Sequence, residues 1–555
     1  MKRAFASMAL SALLVGSSVN AYAATPGYTP GVTVTANENS KTGYTATFVY
    51  RADPTVTRVM LYSDTFMLWD EQAPQYTGGS NGMNLNNLSP DFKAAYGHLP
   101  GDYKTTYWPG GGSGSSRYAV ELTKVAGTED WVTTADLSSG AFVYNFEITK
   151  NGITTARLDD PANPALVNTA TGLRSLSSLV YVPYNAAKQG TGEYRDRSLE
   201  LPRTDGKTGV VQTITYPASN GTDRGMTVYL PYGYDAKRAT PYNVLYINMG
   251  NSGDQFGNEM RWMNEGALPK IVDNLVQQGH EPFVAVSVNY QDWGHSFARI
   301  EPDVLNYILP FIESRYNVSK NRAGRGYAGL SAGAGTTANF YLNHPDVFSQ
   351  FGIWSNGITP NAQQIDLISQ YKATTNVHIG LGKWDYVFGG RAMHSTLAAN
   401  GIRHEFTEIP GGHDWEFWQL MFAKFAKEYL WKLPSCTSPS DPSLVNGACT
   451  PELTLNVLPS ALNLRTTTGV VQVVIGAASG YSLSGWTVRD VKLSGVSPVS
   501  LARSANGATY VATFNKATLS GLPSGSNVPV NATATLAGSG NFGLVQASTT
   551  VTVIR

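Results

Sequence analysis

The chain has 555 residues, with Lys+Arg and Asp+Glu balanced at 40 each. Zero net charge excludes a basic surface built for nucleic acid or acidic membranes, so the expected partner is neutral. The length is several times that of one ordinary domain and the composition changes along the chain, which predicts three domains.

Met1-Lys2-Arg3, the short apolar run from Ala9 to Val15 and the small-x-small site Ala21-Tyr22-Ala23 predict a bacterial-type secretory signal over 1–23. That run is too short to span a bilayer. No other stretch of about 18 apolar residues occurs, and no cysteine follows the cleavage site for lipid attachment. The expectation is export to the periplasm or beyond, with no membrane insertion.

From 24 to 190 the runs Val59 to Tyr62, Tyr118 to Leu122 and Ala141 to Ile148 alternate with Gly-, Ser-, Asn- and Pro-rich loops, predicting a β-sandwich. From 191 to 435 strand-like and helix-like segments alternate, as in a βα sheet. From 453 to 555 Val, Thr, Ser, Ala and Gly dominate, and runs such as Val470 to Val474 and Thr549 to Ile554 predict a second sandwich. The connector 436–452 carries Cys436 and Cys449, the only two cysteines. In an exported protein they should pair and staple the junction, with a loop-entropy gain of roughly 3 kcal/mol at most. Without neighbouring histidines they do not complete a tetrahedral metal site.

The chemistry centres on Gly329-Leu330-Ser331-Ala332-Gly333. An apolar strand enters from Arg325, and a helix follows that should stop near His344-Pro345. A serine at such a sharp strand-to-helix turn holds its hydroxyl clear of the backbone, and the glycines supply room. Upstream, Phe297, Ile300, Val304, Ile308, Ile312 and Tyr316 recur at helical spacing. Ser331 is therefore a candidate nucleophile.

In α/β-hydrolases the acid and then the histidine follow the nucleophile along the chain. Of eight histidines, His413 in Gly411-Gly412-His413-Asp414-Trp415 has the best context, on a loop after strand-like Glu405 to Ile409. His344 and His404 read as structural, His378 as core, and His295 and His394 as possible pocket residues. Asp385 follows the strand Asn376 to Leu381 at its carboxyl end and is the first candidate acid; Glu408 is the second. Asp414, next to His413, reads as the cap of the last helix. The oxyanion hole would use the N–H groups of Ala332 and of Asn251, the latter in the turn Met249-Gly250-Asn251 after strand Asn243 to Asn248. Trp384 and Trp418 are candidate walls of a flat acyl pocket, while Trp415 is divided between that role and core packing.

Val228 to Asp235 (VYLPYGYD), the Met249 turn, the Ser331 pentapeptide, Asp385 and Gly411 to Trp415 with Trp418 together resemble the esterase-D-like α/β-hydrolases, particularly secreted feruloyl and acetylxylan esterases. The match covers about 213–431. It implies a catalytic domain with Ser331, Asp385 and His413 as its triad and no cofactor or metal. Trp131, Gly140 to Phe146, Asp160 to Pro164 and Val182-Pro183 look like the early-set immunoglobulin-like module that precedes many such esterases, with the segment 66–107 departing from that pattern. Ser331-Ala332-Gly333 is also similar to the elbow of polyhydroxybutyrate depolymerases, so a polyester depolymerase is the second reading. A non-catalytic binding protein on a hydrolase fold is the third.

Overall fold

The computed structural model describes residues 28–554, apart from 41, 64–67, 70–96, 99–117, 192–193, 252–256, 384, 386, 388, 410–411, 433–452, 467, 478–482, 484–485, 506 and 539–540. The predicted signal segment, both cysteines, Trp384 and nearly all of 66–107 therefore lie outside the described residues.

The middle of the chain builds an eight-stranded sheet, its strands labelled here in chain order. They are β1 Val210–Pro217, β2 Asp223–Leu230, β3 Asn243–Asn248, β4 Phe283–Val288, β5 Arg325–Leu330, β6 Gln350–Trp354, β7 Asn376–Gly382 and β8 Glu405–Ile409. The spatial order is β1-β2-β4-β3-β5-β6-β7-β8. β1 and β2 are antiparallel to their neighbours, and from β4 to β8 all pairings are parallel. β3, β4, β6 and β7 are buried at every position, which is why they read as continuous apolar runs rather than as alternating strands.

Helices cover both faces. Against one lie the helical run from Phe297 to Arg315 and helix α2, Ala332–Asn343, packing Ile300, Ile308, Ile312, Phe340 and Tyr341 on Tyr246, Val286 and Tyr327. Against the other lie α1, Leu268–Gln277, and α3, Trp415–Lys424, whose Trp415 and Phe422 meet Trp262 and Trp354. Trp262, Trp354 and Trp415 are among the largest fully buried side chains. Each such burial contributes about 2–3 kcal/mol, so the face under α3 is a principal source of stability. The chain order reverses around β3: it goes from β3 to β4 on one side and then crosses to β5 on the other. Crevices at strand carboxyl ends open at such reversals.

Before this sheet, a four-stranded and a five-stranded sheet share a core that includes Phe48, Leu61, Trp131, Phe142 and Phe146. After it, two four-stranded sheets enclose Val473, Ile475, Phe514, Val530 and Leu536.

Candidate active site

β5 delivers Ser331 to the crevice beside β3. Ser331 adopts φ 54°, ψ −121°, a conformation that L-residues adopt at a cost of about 1–3 kcal/mol. Contacts on all sides hold it there. Its N–H donates to the Trp354 carbonyl at 2.9 Å, its carbonyl accepts from Asn356 Nδ2 at 2.9 Å, and the Gly335 N–H reaches the same carbonyl at 3.1 Å. The elbow also needs bare backbone: a Cβ on Gly333 would stand 2.6 Å from the Asn248 and Met249 carbonyl oxygens.

The three residues predicted as a triad meet here. His413 Nε2 lies 2.9 Å from Ser331 Oγ, and His413 Nδ1 lies 3.0 Å and 3.3 Å from the two Asp385 oxygens. The Ser331 hydroxyl donates to Nε2 when the Nδ1 proton faces the carboxylate, the tautomer that nucleophilic activation requires. Asp385 is fully buried. Burial alone would raise its carboxyl, but the facing His413, the Ser355 hydroxyl and the Val387 N–H, the last at 2.9 Å, outweigh it and hold the carboxyl below its usual 3.8. Glu408, the second candidate, is ion-paired to Arg391 at 2.6 Å instead.

Asp414 caps α3, accepting from the Phe417 N–H at 2.9 Å. It thereby fixes where the helix starts relative to His413. Ala332 opens α2, where first-turn N–H groups have no intrahelical acceptor. Gly250, just before Asn251, packs directly against Ser331. Of the two residues expected to supply oxyanion N–H groups, Ala332 thus follows the serine directly and Asn251 follows the glycine packed on it.

The tryptophan expectation changes. Trp415 is core. Trp418 is only 5% exposed, donates Nε1–H to Ser355 Oγ at 2.8 Å and presents its ring edge-on to His413 with centroids 5.0 Å apart. It braces the histidine and has little surface left to wall an acyl pocket.

Sequence reasoning missed Ser355 and Asn356. Both sit just past β6, at a strand end with no motif around it. His295, read from the sequence as a possible pocket residue, stands against the Gly250 backbone with φ 53°. Burial pushes the His295 imidazole down to about 4, opposed only by that backbone contact. His378 is core as expected, bonded to Trp354 and Thr407. His404 precedes β8 rather than alternating within it, and pairs with His394 at 2.7 Å.

No group of three or more His, Cys, Asp or Glu able to hold a metal occurs among the described residues.

Residues 218–429 match the family model described as "Putative esterase". The match is confined to that segment, which contains Ser331, Asp385 and His413. Curated relatives match part of the chain as well. The chain is 27% identical over 247 residues to an endo-1,4-beta-xylanase/feruloyl esterase of Xylanibacter ruminicola, covering 42% of this chain and 33% of that protein. It is 28% identical over 157 residues to endo-1,4-beta-xylanase Y of Acetivibrio thermocellus, covering 26% of this chain and 14% of that protein. It thus spans a third or less of these relatives' own lengths. Among solved structures, a ferulic acid esterase from Anaeromyces mucronatus aligns over 42% of this chain and 94% of its own, at 21% identity and a TM-score of 0.37.

Proposed function

We propose that this protein is an exported serine carboxylic-ester hydrolase that cleaves feruloyl or acetyl esters of plant polysaccharide through an acyl-enzyme. The observation that carries the reading is the unbroken line from Ser331 Oγ through the His413 ring to the buried Asp385 carboxylate. On this reading the mid-chain sheet is an α/β-hydrolase domain, and the flanking sheet pairs are immunoglobulin-like.

Ser331 Oγ attacks the ester carbonyl carbon while its proton passes to His413 Nε2. The carbonyl π electrons move to oxygen, and the Ala332 and Asn251 N–H groups bind that oxyanion. The intermediate collapses, the bond to the alcohol oxygen breaks, and His413 returns the proton to the leaving alkoxide. Water repeats the sequence on the acyl-serine and releases the acid. Asp385 orients the ring and stabilises the imidazolium without taking its proton. No cofactor or metal is called for.

The names of the relatives support polysaccharide-linked esters, with a feruloyl esterase and xylanases among them. A panel of p-nitrophenyl acetate, methyl ferulate, acetylated xylan and an aliphatic polyester tests the assignment. Turnover of ferulate or acetylxylan above the polyester is expected. Faster polyester turnover would transfer the function to the depolymerase reading, and no turnover of any ester would leave a binding protein.

A further inference from the structure

The N-terminal sheets are joined to the esterase segment by buried charge. Arg197 is 2% exposed and lies between the two parts of the chain. Its Nε donates to Glu200 at 2.9 Å, Nη1 to Glu416 at 3.1 Å and Nη2 to Gln419 at 2.5 Å. Glu200 also accepts from the backbone N–H of Ala141 at 2.8 Å, on the N-terminal strand Gly140–Lys150. One guanidinium therefore ties that strand to two successive turns of α3.

A second buried carboxylate extends the tie. Glu265 is fully buried and accepts from the Ser175 hydroxyl at 2.5 Å, the Leu176 N–H at 2.9 Å and Arg261 Nε at 3.2 Å. Its own carbonyl accepts from Gln419 Nε2 at 2.7 Å, and Arg261 lies over the Trp415 ring at 5.3 Å. The apolar core is continuous across the same junction, with Ala141, Val143 and Leu179 packed in one cluster with Trp262, Trp415 and Trp418.

α3 is the helix that begins immediately after His413. Trp415 meets Trp418 edge-on at 5.3 Å, and Trp418 meets His413 at 5.0 Å. We propose that the N-terminal sheets are a built-in clamp on α3, with Arg197 as the positioning residue that sets His413 against Ser331, rather than a detachable binding module. Buried ions of this kind are held by their geometry, and removing one partner leaves the other uncompensated. A catalytic group displaced by about 1 Å loses up to a hundredfold in rate, so slackening α3 acts on the chemical step. The inference rests on the proposed ester hydrolysis only for its kinetic arm.

The test compares the full chain with Arg197→Gln and with the double variant Glu416→Ala/Gln419→Met, which removes both helix-side acceptors of Arg197 while leaving the Arg197 to Glu200 pair intact. Amide hydrogen exchange is followed in peptides covering 412–424 and 325–330, and kcat and KM are measured on p-nitrophenyl acetate. In both variants residues 415–424 should exchange at least tenfold faster with 325–330 unchanged, and kcat should fall tenfold or more with KM within twofold. Unchanged exchange in the double variant overturns the clamp, and so does faster exchange with kcat within twofold of wild type. If Arg197→Gln does not fold, the double variant decides alone. A wild-type protein inert toward every ester defeats the proposed function, and the exchange measurement still decides the clamp.

Discussion

Gly250 and Ser331 are in such close contact that a Cβ on the glycine would stand 2.6 Å from the serine Cβ and 3.1 Å from its Oγ. No other residue can hold the turn after β3 at this distance from the nucleophile. Gly250→Ala should therefore displace either the turn or the serine, moving the Asn251 N–H off the oxyanion. Loss of one such donor costs roughly 10²–10³ in kcat. Steady-state kinetics with a thermal melt checks this: activity should fall by about that factor while the melting temperature shifts by only a few degrees.

Asp385 and Glu408 are separated by their partners. Asp385→Asn preserves shape but favours the wrong histidine tautomer, and should cut kcat by roughly 10³–10⁴. Glu408→Gln weakens the ion pair with Arg391 and should leave kcat within about threefold. Kinetics on the two purified variants gives the ranking, and the reverse order would move the acid.

Glu259 is fully buried, and the neutral amides of Asn168 and Asn289 donate to it, the former at 2.7 Å. Burial raises its carboxyl above 4.5, with those amides offsetting only part of the effect. Between 4.5 and the folded value the native state holds a proton that the unfolded chain has lost, so native stability falls as pH rises through that window. Glu259→Gln carries no such penalty. The melting temperature of the variant should exceed that of wild type by a margin that grows from pH 4 to pH 8; a pH-independent difference would show that the carboxyl is ionised in the fold.

Trp418→Phe removes the Nε1–H to Ser355 bond and part of the ring edge on His413. Because the ring braces the histidine, methyl ferulate and p-nitrophenyl acetate should lose kcat/KM together, by about tenfold. A loss confined to the aromatic ester would place the indole in the acyl pocket.

The C-terminal sheets approach the middle of the chain at the opposite end from Ser331. Arg489 and Asp490 line a cleft of about 670 Å³ with Pro241, Asn243 and Glu313, on the amino-end side of β3. Ending the chain after Lys432 should leave kcat on small soluble esters within about twofold, and non-reducing mass spectrometry of the full chain should find Cys436 linked to Cys449.

Ser331 and His413 were legible as candidates because each imposes a local backbone demand that only certain residues meet. A serine at φ 54° between packed glycines and a histidine just ahead of an Asp-capped helix both leave marks in a few consecutive letters. The parallel strands were legible because double-sided burial yields unbroken apolar runs. Ser355 and Asn356 were not, since single polar residues past a strand end carry no periodicity. Arg197 and Glu265 are in the same position. A lone charge in a sequence resembles a solvated one, and only the closing of the N-terminal sheets on α3 removes it from water. Trp418 was ambiguous for a related reason, because its helical spacing from Trp415 suits packing and substrate contact alike.

On the proposed mechanism Ser331 is an activated nucleophile with His413 as its base. Labelling with a fluorophosphonate probe, followed by peptide mass spectrometry on wild type, Ser331→Ala and His413→Ala, tests it most directly. One adduct, on Ser331, is expected in wild type, none in Ser331→Ala, and labelling slowed by at least a hundredfold in His413→Ala. An adduct elsewhere, or a His413→Ala protein labelled at the wild-type rate, would contradict it.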